Sequence, residues 1–230
     1  MVDPHADPGT ALTELRARVG TEPFARLLAT SHTRIAYPGE TLVRIGQAGS
    51  VGVLLHGLLK SAACFATGES PTVHYIEDGE FFGLSTLFHP APMSVHVVKT
   101  ATVVHLDGST VKRVAEVFPC FAWFVARELS ESVLRLPTTV EVFAFSTVRE
   151  RIAGHLLRLS SAEDGGSCRV AHVTQEALAD SVGSAREVVW RCIRSLREEG
   201  LIAVATRAVY ILDEAGLARE AARLDPQALA

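Results

Sequence analysis

The sequence predicts an α+β protein in three stretches: a β-rich roll, one long amphipathic helix, and a helical C-terminal part with a short strand-like tail. Three observations carry this expectation. Between Arg34 and Leu106, short apolar runs rich in β-branched residues alternate with turn residues. From Pro119 to Ser146, apolar residues recur at alternating intervals of three and four. Between Val173 and Ile202, a small residue, a glycine and an aliphatic stand at the separations required by two closely crossing helices.

In the roll, Val51 to Lys60, Val73 to Ile76, Val95 to Val98 and Ala101 to Leu106 read as strands. The punctuation between them is Pro38-Gly39, Gly46, Gly49, His56-Gly57, Thr67-Gly68-Glu69 and Asp78-Gly79. Short strands at this spacing suggest a compact sandwich or roll. The expected domain limits are 1–118 for the roll with N-terminal helices, 119–146 for the long helix and 147–230 for the rest.

Along the long helix, Ala126, Leu129, Val133, Leu136, Val140 and Phe143 form a heptad seam, which buries its stripe against another helix. A homodimer joined along this seam is the expectation, and a helix packed on its own domain is the alternative. Pro137 lies within the pattern and should remove a helix hydrogen bond or kink the helix.

The third stretch, Arg149 to Leu212, reads as helical. A Ser/Gly/acid-rich loop is expected at 160–167, a β-branched run over Val204 to Leu212 and a short helix over Asp213 to Leu224. Ala179 lets two helices cross closely, Gly183 supports the turn and Val189 plugs the core beneath. Leu178 and Val182 face inward on the first helix; Val189, Cys192, Ile193 and Leu196 do so on the second. The opposite face of the second helix carries Arg186, Trp190, Arg191, Arg194 and Arg197. Ser184 with Glu187 matches a capping box, so the helix should begin at Ser184 and present Arg186 and Glu187 in its first turn. Arginine bridges guanine O6 and N7, and a carboxylate accepts from cytosine N4. Glu187 is open to either role, capping or base readout. The candidate DNA-contacting set is Thr174, Gln175, Ser184, Arg186, Glu187, Trp190, Arg191 and Arg194.

The chain has 230 residues and a formal net charge of −4, which argues against non-specific coating of nucleic acid but not against a local basic face. Cys64, Cys120, Cys168 and Cys192 are scattered, fitting neither a disulfide framework nor a zinc ribbon, and are expected to be isolated buried thiols. The start has no basic stretch followed by an apolar run, and no clean apolar run would span a bilayer, so no membrane association and a cytoplasmic location are expected. No nucleophile–base grouping, phosphate-cradling loop or carboxylate pair stands out, so no catalytic residue is assigned. The histidines lack the tight clustering of a cupin-like metal enzyme, and no metal ligand is assigned.

The segment from Val173 to Arg191, continued by Leu196 to Ile202, resembles the winged helix-turn-helix of the cyclic-AMP receptor/fumarate-nitrate regulator family. Upstream, Pro38-Gly39-Glu40-Thr41-Leu42 with Gly46 and Gly57 is similar to the start of that family's cyclic-nucleotide-binding β-roll. Asp78-Gly79-Glu80-Phe81-Phe82-Gly83 resembles its later glycine turn, and Arg151-Ile152-Ala153 through Leu159 its first DNA-domain helix. The resemblance implies an α+β architecture of cyclic-nucleotide-binding-like β-roll, long dimerisation helix and winged helix-turn-helix. It also implies a homodimer on two-fold symmetric double-stranded DNA, a wing at Ala203 to Leu212, a roll-bound effector controlling DNA affinity, and RNA polymerase as a further candidate partner.

Several positions depart from the family pattern. Leu84 stands where cyclic-AMP-binding members carry an acid for the ribose, and no arginine lies near Pro92 to Ser94 for the phosphate. Phe81 to Val98 contains no Asp, Glu, Lys or Arg. An uncompensated buried phosphodiester costs several kcal/mol, and Leu136 and Pro137 replace the long helix's polar contacts to the base. Cyclic AMP is therefore disfavoured. The candidate effector region is Phe82, Gly83, Leu84, Ser85, Ser94 and Leu136. An apolar pocket around Phe82, Leu84, Leu87 and Phe88 would take a hydrophobic ligand or be filled by its own side chains. Heme is a weaker alternative resting on His74, His89, His96 and His105, and an N-terminal iron–sulfur site is excluded for want of cysteines there. Trp190 departs from the small residue usual at its place in the family.

Overall fold

The computed structural model describes residues 8–64, 70–162 and 168–221. The chain divides into two compact units, 1–64 with 73–135 and 65–72 with 136–230. The first holds α1 (Pro8–Val19), α2 (Thr21–Leu28), β1 (His32–Ala36), β2 (Thr41–Val43), β3 (Ser50–Ala62), β4 (Thr72–Ile76), β5 (Phe81–Phe82), a short 3-10 helix (Leu84–Leu87), β6 (Ser94–Asp107) and α3 (Gly108–Val117). Strands run in the order β1-β6-β3-β4, with β2 also beside β6 and β5 beside β3.

Residue alternation along the strands separates two cores. Val53, Leu55, Val104 and Leu106 point to the helical side, where they meet Ala11, Leu15, Leu27, Val111, Phe121 and Phe124. Leu54, Val103, Ala36, Val43 and Val97 point into the roll.

Two expected features of the roll are corrected. Val95 to Val98 and Ala101 to Leu106 are one strand, β6, because Lys99 and Thr102 remain paired with Leu58 and His56 of β3. His56-Gly57 is no turn: it lies inside β3, where register shifts on either side of His56 absorb the mismatch. Gly57 has φ 121°, and a Cβ there would come within 2.6 Å of the Thr100 carbonyl oxygen. Close approach of the two strands, together with that backbone, requires glycine.

The helix α4 (Pro119–Phe145) runs through the division between the units, and Pro137 does not end it. Proline has no N–H, so the Val133 carbonyl lacks its usual i+4 donor. The second unit continues with α5 (Val148–Leu159), β7 (Ser161–Ala162), β8 (Arg169–Ala171), α6 (Gln175–Val182), α7 (Arg186–Glu198), β9 (Ile202–Val204), β10 (Val209–Ile211) and α8 (Glu214–Ala221). Its sheet has the order β7-β8-β10-β9. The loop expected at 160–167 opens as strand β7, and 163–167 lie outside the described residues, as do Thr67-Gly68-Glu69 and the last three positions of the expected helix to Leu224. The thiols are not buried as expected. Cys64 and Cys120 are exposed, and Cys168 and Cys192 are half-buried. Cys120 precedes Phe121, which occupies the core-facing position of that turn. Among the described residues, no helix is long and apolar enough to cross a membrane.

Candidate nucleic-acid interface

α6 begins at Thr174, whose hydroxyl accepts the Ala177 N–H at 3.1 Å as an N-cap. Leu178, Ala179 and Val182 are buried beneath it. The helix ends at Gly183 in the left-handed conformation, φ 62°, and the N–H groups of Gly183 and Ser184 both return to the Ala179 carbonyl. Ser184 thus belongs to the termination of α6, and the expected capping box with Glu187 does not form. The N-cap of α7 is Ala185, whose carbonyl receives Val188 and Val189 N–H groups, and it has no side-chain cap. Glu187 is thereby left without the competing capping role and sits exposed in the first turn of α7.

Val189, Ile193 and Leu196 are buried, while Cys192, expected among them, is half-buried. Arg186, Trp190, Arg191, Arg194 and Arg197 all lie on the exposed side of α7, and Gln175 is exposed at the first turn of α6. Arg186 is ion-paired with Glu176 of α6. Arg194 donates to Glu198 at 2.8 Å, and its guanidinium carbon stands 5.8 Å from the Trp190 ring centroid. The hairpin β9–β10 closes through the Ala205 N–H to the Ala208 carbonyl at 2.8 Å and exposes Arg207 at its turn. It lies within the stretch expected to form the wing.

Sequence reasoning missed the side chains that hold this arrangement. Arg149 of α5 donates Nε to Glu220 of α8 at 2.7 Å and reaches both oxygens of Glu199 at 2.8 and 2.6 Å. It also donates to the Ser195 hydroxyl at 2.8 Å. The Glu199 hydrogen bonds raise its affinity for its proton, against the effect of burial. Arg151 donates to the Val182 carbonyl at 3.0 Å and the Ser146 carbonyl at 2.8 Å, and lies 5.6 Å from the Phe143 ring. Arg149, Arg151 and Glu176 belong to no periodic pattern; Arg151 and Glu176 entered only as members of segments that resemble the family, with no role of their own. Arg207 offered only its place within the expected wing.

In the roll, the buried members of the expected pocket divide between two cores. Phe82 packs into the core within the roll, Leu84 and Leu87 pack into the core on the helical side, and Phe88 is 63% exposed. Period and local turn separate them: Gly83 takes φ 74°, and the 3-10 helix that follows rotates Leu84 and Leu87 away from Phe82. A Cβ on Gly83 would meet the Ser50 carbonyl oxygen at 2.0 Å. Ser85 is exposed. Ser94 donates to the Ala62 carbonyl at 3.3 Å and pairs with His96 Nε2 at 2.7 Å. Leu136 falls in the second unit. His105 stacks on His32 with centroids 5.1 Å apart and accepts from Arg34 Nε at 3.3 Å. Among the described residues, no three His, Cys, Asp or Glu side chains group as metal ligands. At the nearby turn, burial alone would raise the Glu80 carboxyl, but the His74 hydrogen bond, the Glu77 amide and Arg135 outweigh it and hold it low.

Along α4, Ala126, Val133, Leu136 and Val140 of the seam are exposed. Leu129 is partly engaged by the core on the helical side, and Phe143 is half-buried beneath Arg151.

Models of the cyclic nucleotide-binding domain and of the Crp-like helix-turn-helix domain match residues 33–117 and 150–220. The transcriptional regulator LdrP of Thermus thermophilus is 34% identical over 173 residues, covering 73% of this chain and 85% of that protein. The CRP-like cAMP-activated global transcriptional regulator of Mycobacterium tuberculosis is 26% identical over 223 residues, covering 91% and 100%. A solved CRP-family transcriptional regulator from Thermus thermophilus is similar with TM-score 0.68 at 28% identity, over 82% of this chain and 96% of that one. A helix-turn-helix with an exposed arginine face, joined to a cyclic-nucleotide-binding-type roll, defines a DNA-binding transcription regulator. The chain belongs to the CRP family of these regulators.

Proposed function

We propose that the protein acts as a homodimer on a two-fold symmetric DNA site, with α7 of each protomer in the major groove, and that cyclic AMP does not control it. The exposed face of Arg186, Glu187, Trp190, Arg191 and Arg194 on one helix carries this reading. Arg186 and Glu187 meet base edges, while Thr174, Gln175, Arg194 and the hairpin's Arg207 sit where backbone phosphates pass. The exposed stripe of α4 supports dimerisation, because four apolar seam residues otherwise remain in water. No catalytic role is assigned, and the setting is cytoplasmic, with RNA polymerase the protein partner of a bound dimer.

The relative from Mycobacterium tuberculosis is named as cAMP-activated. Against carrying that over stand the uncharged stretch from Phe81 to Val98 and the packing of Leu84 into the core. The effector is a non-cyclic-nucleotide ligand, or DNA binding is constitutive. The test is selection of binding sites from random duplex DNA, followed by titration with and without cyclic AMP. A palindromic selected site, an Arg186→Ala loss of roughly 1–3 kcal/mol and no response to the nucleotide are expected. A non-symmetric site, or micromolar nucleotide binding that changes DNA affinity, would overturn the proposal.

A further inference from the structure

α7 carries one large apolar group in the middle of a charged face. Trp190 is 51% exposed. At about 100° per residue, it sits between Arg186 and Arg194, one turn from each. Its ring lies under the Arg194 guanidinium, which also donates to Glu198. Beside the ring is a hollow of about 40 Å³, bordered also by Gln175, Ile193, Arg197 and Val204. The indole thus has a cation–π contact within its own helix, worth about 0.5–1 kcal/mol at an exposed site, which favours this orientation of the ring.

Tryptophan has a single N–H donor and no acceptor, so most of what it presents to a groove is apolar surface. Base-pair edges in the major groove are otherwise hydrogen-bonding groups, and the thymine C5 methyl is the apolar one. We infer that Trp190 is a specificity-determining residue, selecting a thymine at one position of each half-site through that methyl. The inference rests on α7 being the reading helix. The arginines around it fix guanines and phosphates, and the indole adds a preference that arginine chemistry does not supply.

The test uses the full-length protein and its selected DNA site. Each thymine is replaced in turn by deoxyuridine, which removes only the C5 methyl. One thymine per half-site should lose about fourfold in affinity, as expected for one buried carbon. That loss should vanish in Trp190→Ala and persist in part in Trp190→Phe. Placing 5-methylcytosine, but not cytosine, at the same position should restore part of the lost affinity, since it carries the methyl in the same place. The inference is overturned if no deoxyuridine weakens wild-type binding, or if the sensitive thymine is equally sensitive in Trp190→Ala. If no sequence is selected, or Arg186→Ala binds unchanged, the reading-helix assignment falls and this inference with it.

Discussion

Replacing Arg149 by alanine should loosen the DNA-binding unit while leaving every residue of the exposed α7 face in place. The arginine joins three helices through one guanidinium, to Glu220 on α8 and to Ser195 and Glu199 at the end of α7. The side chains of Arg149 and Glu220 are 23% and 20% exposed, whereas that of Glu199 is 48% exposed. Breaking a fully buried pair costs about 3–5 kcal/mol, and an exposed pair is worth about 0.2–1 kcal/mol. The Glu220 arm lies between these limits, and the Glu199 arm near the lower one. A total of about 2–3 kcal/mol follows, much of it from leaving the Glu220 carboxylate without a cation. The two tryptophans, one in each unit, permit a local assay. In a Trp123→Phe background, Trp190 fluorescence reports urea unfolding of the second unit alone. The midpoint should fall by about 1 M, given a slope of about 2 kcal/mol per molar. Adding Glu220→Gln should recover part of that loss by removing the orphaned charge. A shift below about 0.2 M, or a double variant no more stable than Arg149→Ala, would refute the reasoning.

Three further outcomes are expected. Glu176→Gln should strengthen DNA binding by up to about fivefold, the scale of an exposed ion pair, because Arg186 no longer has to leave Glu176; an unchanged dissociation constant counts against the pair. Val133→Glu should sediment as a monomer with an intact protomer fold, since Val133 is 61% exposed in the single chain; a persistent dimer places the interface elsewhere. His96 and His105 are both held below the usual 6.5, chiefly by burial, aided by Lys60 for His96 and by Arg34 and His32 for His105. A depressed group binds its proton more readily unfolded, so its contribution is full above 6.5 and is lost as pH falls through the folded value. The roll, read by Trp123 in a Trp190→Phe background, should therefore lose stability as the pH falls through 6.5 and on through the lower folded values. His96→Gln/His105→Gln should flatten that slope, and an unchanged slope rules the histidines out as its source.

How much was legible differed from place to place. The inner faces of α6 and α7 and the arginine row could be read because helical periodicity is a local property, repeated over several turns. The strand over Val51 to Lys60 was legible from its composition, but its division of Leu54 from Val53 and Leu55 between two cores was not, because that run is apolar on both faces. Where α7 starts was not. A Ser-x-x-Glu spacing signals a cap only if serine is free to be the N-cap, and here the Schellman-type end of α6 claims its N–H first.

What the sequence by itself determined is therefore the succession of β-rich, long-helix and helix-turn-helix stretches, the inner faces of α6 and α7 and the chemistry of the exposed face of α7, all set by spacing along the chain. The tertiary structure alone decided three things. Gly57 became a close strand crossing inside β3 rather than a turn, because the Thr100 carbonyl passes where a side chain would stand. Phe82 parted from Leu84 into a different core, because Gly83 turns the backbone between them. Arg149 became the tie between α5, α7 and α8, because residues 50 and 71 positions away meet it only after the helices have packed. Partners so distant leave no periodic trace in sequence, since their pairing depends on the approach of whole elements and not on the order of neighbours.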